Sequence, residues 1–235
     1  MSSASSLKFF TTSPHDCSYL EQRKAVTLFA DPESDMTPAL YSHLSMLGFR
    51  RSGNYVYRPQ CESCRACISV RIPVASFVPS RSHKRCWKSN QDITVTCVPA
   101  AWDEAHYSLY ARYIASRHRD GDMYPPTPRQ YREFLTCDWS ETFFAEFRID
   151  GRLVAIAVTD VVDDGLSAVY TFYDPQETAR SLGTYAILWQ IAETRRQGLG
   201  HLYLGYWVRH APRMRYKSQF RPLELLIEGE WLLAR

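Results

Sequence analysis

Thr142-Phe-Phe-Ala-Glu-Phe-Arg-Ile149, Arg152-Leu-Val-Ala-Ile-Ala-Val-Thr-Asp-Val-Val162 and Leu166-Ser-Ala-Val-Tyr-Thr-Phe-Tyr173 follow one another with little between them. Each is rich in β-branched and aromatic residues. Asp150-Gly151 joins the first pair and Asp164-Gly165 the second, and Asp-Gly between such runs is a strong hairpin signal. An antiparallel meander of three strands is expected. After Asp174-Pro175, the stretch Ser181 to Gln197 places Leu188, Ile191 and Ala192 at helical spacing and closes on Gly198. His201-Leu-Tyr-Leu-Gly-Tyr-Trp207 then reads as one more strand.

Three antiparallel strands, a crossover helix and a further strand is the core order of the N-acetyltransferase-like (GNAT) fold, an α+β mixed sheet flanked by helices. In that order the helix N-terminus faces the strand ends, where its free N–H groups and positive dipole attract anions. Ser181, Gly183 and Thr184 sit at this turn, either as simple caps or as a phosphate- or carbonyl-facing nest.

Working back toward the N-terminus the pattern is weaker. Trp102 to His118 is a helix candidate, followed by a Pro/Gly-rich loop over 119–129. Pro38 to Leu47 is a short helix with Leu40, Leu44 and Leu47 on one face, stopped by Gly48. Phe49 to Arg58 has the Gly-Asn turn of a small hairpin, and Ile68 to Pro73 alternates as a strand. The first dozen or so residues, rich in Ser and Thr, read as a frayed terminus. This divides the chain into a basic, cysteine-containing unit over 1–100 and a GNAT-like domain over 101–235.

The chain has 235 residues, of which 45% are hydrophobic and 23% charged, which excludes collagen-like, coiled-coil and disordered classes. Apolar runs are too interrupted to cross a membrane, and the start lacks a signal-peptide pattern. A cytoplasmic protein is expected. The seven cysteines are an odd number, so reduced thiols are expected rather than a disulfide framework. Cys61, Cys64 and Cys67 have metal-ligand spacing, and Cys17 is a possible fourth thiolate for zinc or an iron–sulfur cluster; the alternative is a set of buried thiols in a tight turn.

A net charge of +3 hides an asymmetry. Residues 50–88 hold nine Lys or Arg against the single acid Glu62, and Arg209, Arg213, Arg215, Lys217 and Arg221 form a second cluster without acids. Aromatics interleave both, which suits phosphate neutralisation with stacking on unpaired bases, although a solvated basic face has the same composition.

Three longer motifs carry a resemblance. They are Arg180-Ser-Leu-Gly-Thr-Tyr-Ala-Ile-Leu188, Tyr203-Leu-Gly-Tyr-Trp-Val208 and Pro212-Arg-Met-Arg-Tyr-Lys-Ser-Gln-Phe-Arg-Pro-Leu-Glu-Leu-Leu226. Together with Gly48 to Cys67 and Phe77 to Ser82, they resemble the arginyl/leucyl-tRNA–protein transferases, most of all the bacterial aspartate/glutamate leucyltransferase branch. The resemblance implies transfer of leucine from leucyl-tRNA to proteins beginning with Asp or Glu, marking them for degradation, with neither DNA nor a membrane as partner. One motif departs: the paired cysteines of the eukaryotic arginyl branch are reduced here to Cys17 alone.

The chemistry asks little of the protein. An aminoacyl ester is already activated, so no cofactor and no covalent intermediate are required; the enzyme must position an amine and stabilise an oxyanion. The candidate catalytic set is Asp174, to bind the amine or take its proton, with Tyr170 and Ser181. Asp174 is equally a turn-former before Pro175, and Tyr170 with Phe172 equally core. Gly183, Thr184, Tyr185, Tyr206, Arg213, Arg215 and Lys217 are the candidate tRNA and substrate contacts, Lys217 and its neighbours meeting acceptor phosphates. An acidic N-terminal side chain calls for an arginine, and Arg50, Arg58 and Arg71 qualify alike. Tyr185, where acetyltransferases carry a small residue, is expected to obstruct a pyrophosphate, unless it points into the core. The competing classes are an acetyl-CoA-dependent N-acetyltransferase and a non-enzymatic RNA-binding module.

Overall fold

The computed structural model describes residues 7–234. Five helices and fourteen strands follow one another among these residues. The strands are β1 (Phe9–Thr11), β2 (His15–Asp16), β3 (Lys24–Ala25), β4 (Thr27–Ala30), β5 (Arg50–Ser52), β6 (Tyr55–Pro59), β7 (Ile68–Pro73) and β8 (Thr94–Pro99). They continue as β9 (Thr142–Ile149), β10 (Arg152–Val162), β11 (Gly165–Tyr173), β12 (His201–Trp207), β13 (Leu223–Ile227) and β14 (Glu230–Ala234). The helices are α1 (Pro38–Met46), α2 (Arg81–Lys88), α3 (Glu104–Arg117), α4 (Pro128–Leu135) and α5 (Leu182–Arg196). Local chemistry sets their starts: Thr37, Asp103 and Thr127 each accept a hydrogen bond from the backbone N–H three residues on.

The main sheet has eight strands in the order β14-β13-β7-β12-β11-β10-β9-β8, and β1-β4-β6-β5 form a smaller one. The expected meander is present as β9, β10 and β11, and the crossover helix as α5. The Asp150-Gly151 turn has φ of 47° and 82°, the doubly positive geometry of a two-residue hairpin. Along β10, Ile156 and Val158 pack with Leu109, Tyr110 and Ile114 of α3. Ala155 and Ala157 pack with Leu182, Tyr185 and Ala186 of α5. Both faces are covered, which is why β10 reads as an almost unbroken apolar run.

Two expectations change. The boundary at residue 100 does not follow the sheet, because β7 and β8 lie inside the main sheet, and β7 pairs with β12 and β13. Residues 9–11 of the expected frayed terminus pair with Leu28 to Ala30, while residues 1–6 lie outside the described residues. The helices α2 and α4 and the β13–β14 hairpin were not legible beforehand, being short and carrying few apolar positions at a clear period.

β11 and β12 are parallel, and they pair only at Gly165–Ser167 against His201–Tyr203. Beyond that point β11 follows β10 to Tyr173, while β12 follows β7 to Trp207 with a register shift between Tyr203 and Gly205. The sheet opens between them. The carbonyls freed along the gap need donors, and what supplies them defines the site.

Candidate active site

Two basic side chains fill the gap. Arg50 reaches in from β5 and donates through Nη2 to the carbonyls of Ala168 at 2.7 Å and Val169 at 3.4 Å on β11. Lys217, on the 3₁₀ segment Pro212–Gln219, donates to the carbonyls of Leu204 at 2.8 Å and Tyr206 at 2.6 Å on β12. Lys217 is 8% exposed. Burial, then the Arg50 guanidinium, pushes its amine down to about 7. A neutral amine has two N–H groups, and the structure offers them two carbonyls.

Between those two carbonyls lies Gly205, with φ of 75°. A Cβ there would stand 2.1 Å from Arg50 Nη1 and 2.6 Å from its Cζ, so only glycine lets the guanidinium lie against β12. Arg50 Nη1 is buried and has no hydrogen-bond partner. Tyr206 donates to the carbonyls of Gly48 at 3.0 Å and Tyr57 at 3.1 Å. Burial drives the Tyr206 and Tyr57 phenols up while Arg50 pulls both the other way. The gap is therefore a cationic centre walled by tyrosines.

The other arginines named beforehand are engaged elsewhere, although Arg58 Nε, like Arg50 Nη1, is buried without a hydrogen-bond partner. Arg71 binds Glu224 at 2.6 Å and the Tyr203 hydroxyl at 3.0 Å, and its guanidinium lies 4.3 Å from the Trp231 ring centroid. Arg58 stacks over Phe49 at 4.8 Å and donates to the Leu47 carbonyl. Lys217 does not meet solvent phosphates, since its amine is turned inward onto β12. Arg213 and Arg215 are exposed on the same 3₁₀ segment.

Asp174 is 6% exposed, pairs with Arg152 at 3.2 Å and Arg112 at 3.6 Å, and accepts the Gln176 N–H at 3.0 Å. Its oxygens are engaged in shaping the turn. Tyr170 lies among Tyr110, Tyr113, Phe134 and Phe172, with its hydroxyl buried and unpartnered and its phenol driven upward by burial. Ser181 caps α5 with φ of 52° and no side-chain cap bond. Ser181 and Thr184 line a hollow of about 270 Å³ at the first turn of α5. A Cβ on Gly183 would meet the Tyr173 ring at 3.3 Å. Tyr185 is 5% exposed and packs on Trp87 at 5.4 Å and Phe147 at 5.8 Å. It is a core residue, so the expected obstruction at the helix start does not occur.

The cysteine loop borders the same centre. Burial, then Cys17, Cys61 and Cys64, hold the Cys67 thiol up at about 12. Among the described residues, however, no three His, Cys, Asp or Glu side chains are disposed to hold one metal ion. The thiols share a neighbourhood without forming a coordination shell among the described residues. No helix among the described residues is long and apolar enough to cross a membrane.

Gly205 was not singled out from the sequence. A signal for Gly205 was present: an isolated glycine inside a strand pattern marks a close approach.

The chain matches the family model of the arginine-tRNA-protein transferase C terminus over residues 105–227 and that of the N terminus over residues 15–85. It is 55% identical over 231 residues to the aspartate/glutamate leucyltransferase of Alcanivorax borkumensis, covering 98% of this chain and 96% of that one. It is 54% identical over 233 residues to the enzyme of the same name from Pseudomonas fluorescens, covering 99% of each. Among solved structures it is similar to the "C-terminal Domain (DUF2156) of Putative Lysylphosphatidylglycerol Synthetase" from Agrobacterium fabrum. That likeness has a TM-score of 0.51 at 13% identity, covers 84% of this chain and 64% of that one, and speaks to the fold alone. With both family models matched and more than half of all residues shared along nearly the full length of these relatives, the chain belongs to the arginine-tRNA-protein transferase family.

Proposed function

We propose that the protein transfers leucine from leucyl-tRNA to the α-amine of polypeptides beginning with Asp or Glu, and that this marks them for degradation. Whole-length similarity to enzymes named aspartate/glutamate leucyltransferase supports the reaction. The geometric observation that carries it is the Arg50 guanidinium in the gap between β11 and β12, with Nη1 buried and unpartnered. A buried cationic N–H is costly without an acceptor, and a carboxylate is the acceptor that best matches it. Arg58 Nε is also buried and unpartnered, but its guanidinium stacks on Phe49; Arg50, standing in the parted strand pair, is then the reader of the acidic side chain.

The parting of a parallel strand pair ahead of a crossover helix supports a GNAT-like core. The reaction forms an N–C bond between the peptide amine and the leucyl carbonyl carbon and breaks the C–O bond to the tRNA's terminal ribose. The amine proton ends on the departing ribose oxygen. An α-amine of pKa about 7.7–8.0 is partly neutral at physiological pH, so positioning it is the main demand. The transfer as proposed draws on no cofactor, because the ester supplies its own driving force. Charged tRNA as donor puts the reaction in the cytoplasm.

Purified protein supplied with leucyl-tRNA and peptides starting with Asp, Glu, Ala or Lys tests the reading. Labelling of the first two is expected. Equal labelling of all four, or labelling of none, overturns it; acetyl transfer from acetyl-CoA would instead favour an N-acetyltransferase.

A further inference from the structure

α2 carries Arg81, Lys84, Arg85 and Lys88 and no acid. All four are exposed, and none makes an ion pair or a side-chain hydrogen bond to another described residue. Single exposed cations on other helices also lack acids, Arg117 on α3 and Arg132 on α4 among them, but only α2 gathers four, and elsewhere helix cations find partners. Arg129 pairs with Glu133 at 2.6 Å on α4, and Arg196 with Glu193 at 2.6 Å on α5. Acids just outside α2 are already taken, since Arg180 holds Asp92 at 2.8 Å and Glu177 at 3.2 Å. Arg81 lies over Arg85, and Lys84 over Lys88, one turn apart, so the helix works against its own stability.

Two hollows flank this ridge. One, of about 430 Å³, runs between α2 and α5 past Trp87 and Leu188. The other is the hollow at the first turn of α5, where Arg85 stands beside Ser181 and Thr184. His83 lines both. It is 2% exposed, and its Nδ1 accepts the Ser80 N–H. Burial holds the ring neutral, so its Nε2 is an N–H donor, and that donor has no partner.

We propose that α2 and the hollow beside it seat the sugar–phosphate backbone of the tRNA acceptor arm, with phosphates against the four unpaired cations. This rests on the reading of the protein as a tRNA-dependent transferase and names the surface that holds the donor. A row of unpaired Lys and Arg flanking a polar hollow suits a phosphate chain. The helix exposes one large apolar side chain, Trp87, and so lacks the apolar stripe that seats a helix on a lipid surface. Trp87 is instead suited to stack on an unpaired base.

The full chain with Arg81, Lys84, Arg85 and Lys88 all replaced by Gln provides the test. The probe is uncharged tRNA, titrated across a range of NaCl, with a thermal melt to confirm folding. A variant with Arg129→Gln on α4 serves as control. Affinity is expected to fall about tenfold or more at moderate salt, and the log–log salt slope to become shallower by about 3 if each lost contact is single-stranded. The α4 control should bind as wild type does. Unchanged affinity and slope in the four-site variant overturn the proposal, as does an equal loss in the α4 control. Loss of binding to anionic phospholipid vesicles with tRNA affinity intact overturns it in favour of a membrane surface. Should wild type transfer no leucine while the variant still loses tRNA, the transferase reading falls and the interface stands. A variant too unstable to fold is replaced by the Lys84→Gln, Lys88→Gln pair, for which a slope change of about half is expected and an unchanged slope overturns the proposal.

Discussion

Arg50 and Arg51 are neighbours on one strand and have opposite fates. Alternation along β5 sends their side chains to opposite faces. Arg51 meets Asp160 on β10, donating from Nε at 2.7 Å and Nη2 at 2.6 Å. Thr142 and Tyr41 add hydrogen bonds to the same carboxylate at 2.7 and 3.0 Å, and the two charged side chains are 0% exposed. Arg50 goes to the gap between β11 and β12, spends Nη2 on two carbonyls and leaves Nη1 without an acceptor. The first site is closed and complete, and ties the small sheet to the large one. The second is incomplete, and that incompleteness is what the proposed carboxylate would fill. Chemically identical side chains thus end closed or open according to whether the fold supplies a carboxylate, and the proposed recognition role falls to the open one.

The largest expected effect breaks the closed site. Replacing Arg51 by Ala strands Asp160 in the core and should cost about 3–5 kcal/mol, measured by urea unfolding; a loss under about 1 kcal/mol would show the pair to be dispensable.

At the open site the cost should appear in turnover instead. Arg50→Ala is expected to lower kcat/KM for peptides beginning with Asp or Glu about a hundredfold, the worth of one charge-assisted contact near 2.7 kcal/mol, while unfolding changes by much less than for Arg51→Ala. Gly205→Ala should mimic it, because the added methyl displaces the guanidinium. Equal loss of stability at Arg50 and Arg51 would erase the distinction between the two sites.

A smaller effect concerns pH. The Lys217 amine lies at about 7 in the folded protein against an ordinary 10.5, so between those values the unfolded chain binds more protons. Folding stability should therefore rise with pH across that window, by up to about 1.4 kcal/mol per unit, and level off above it. Lys217→Met, compared with wild type by unfolding at pH 7, 8 and 9, should remove that slope; parallel curves would mean the amine stays charged.

The smallest effect sets the baseline. Lys24 and Asp16 pair at 2.7 Å with side chains 67% and 92% exposed, and Lys24→Ala should leave the unfolding midpoint where it is in wild type. A shift would mean that exposed charge, rather than burial, governs the comparison.

The meander, the crossover helix and the following strand were legible in advance, because Asp-Gly turns and a helical stripe are local signals written in consecutive residues. The Phe49–Arg58 hairpin and α1 were legible for the same reason. Family membership followed from long motifs, which need no structure. The candidate site was legible only as a set of residue types. Arg50, Arg58 and Arg71 were equivalent on paper, and only tertiary contacts separate them: Glu224 holds Arg71, Arg58 stacks on Phe49, and Arg50 enters the gap between β11 and β12. Lys217 read as a surface cation because its neighbours in sequence are basic; in space its neighbours are the carbonyls that a parted strand pair leaves without partners. Tyr185 read as an obstruction because its position in the motif is local, whereas the direction of its ring depends on Trp87 and Phe147 from distant parts of the chain. The sequence by itself therefore determined the elements and the family, since hydrogen bonding within turns and side-chain periodicity act over a few residues. Which cation is left with an unmet hydrogen bond was decided by the tertiary structure alone, because satisfaction of a buried polar group depends on every segment that reaches it.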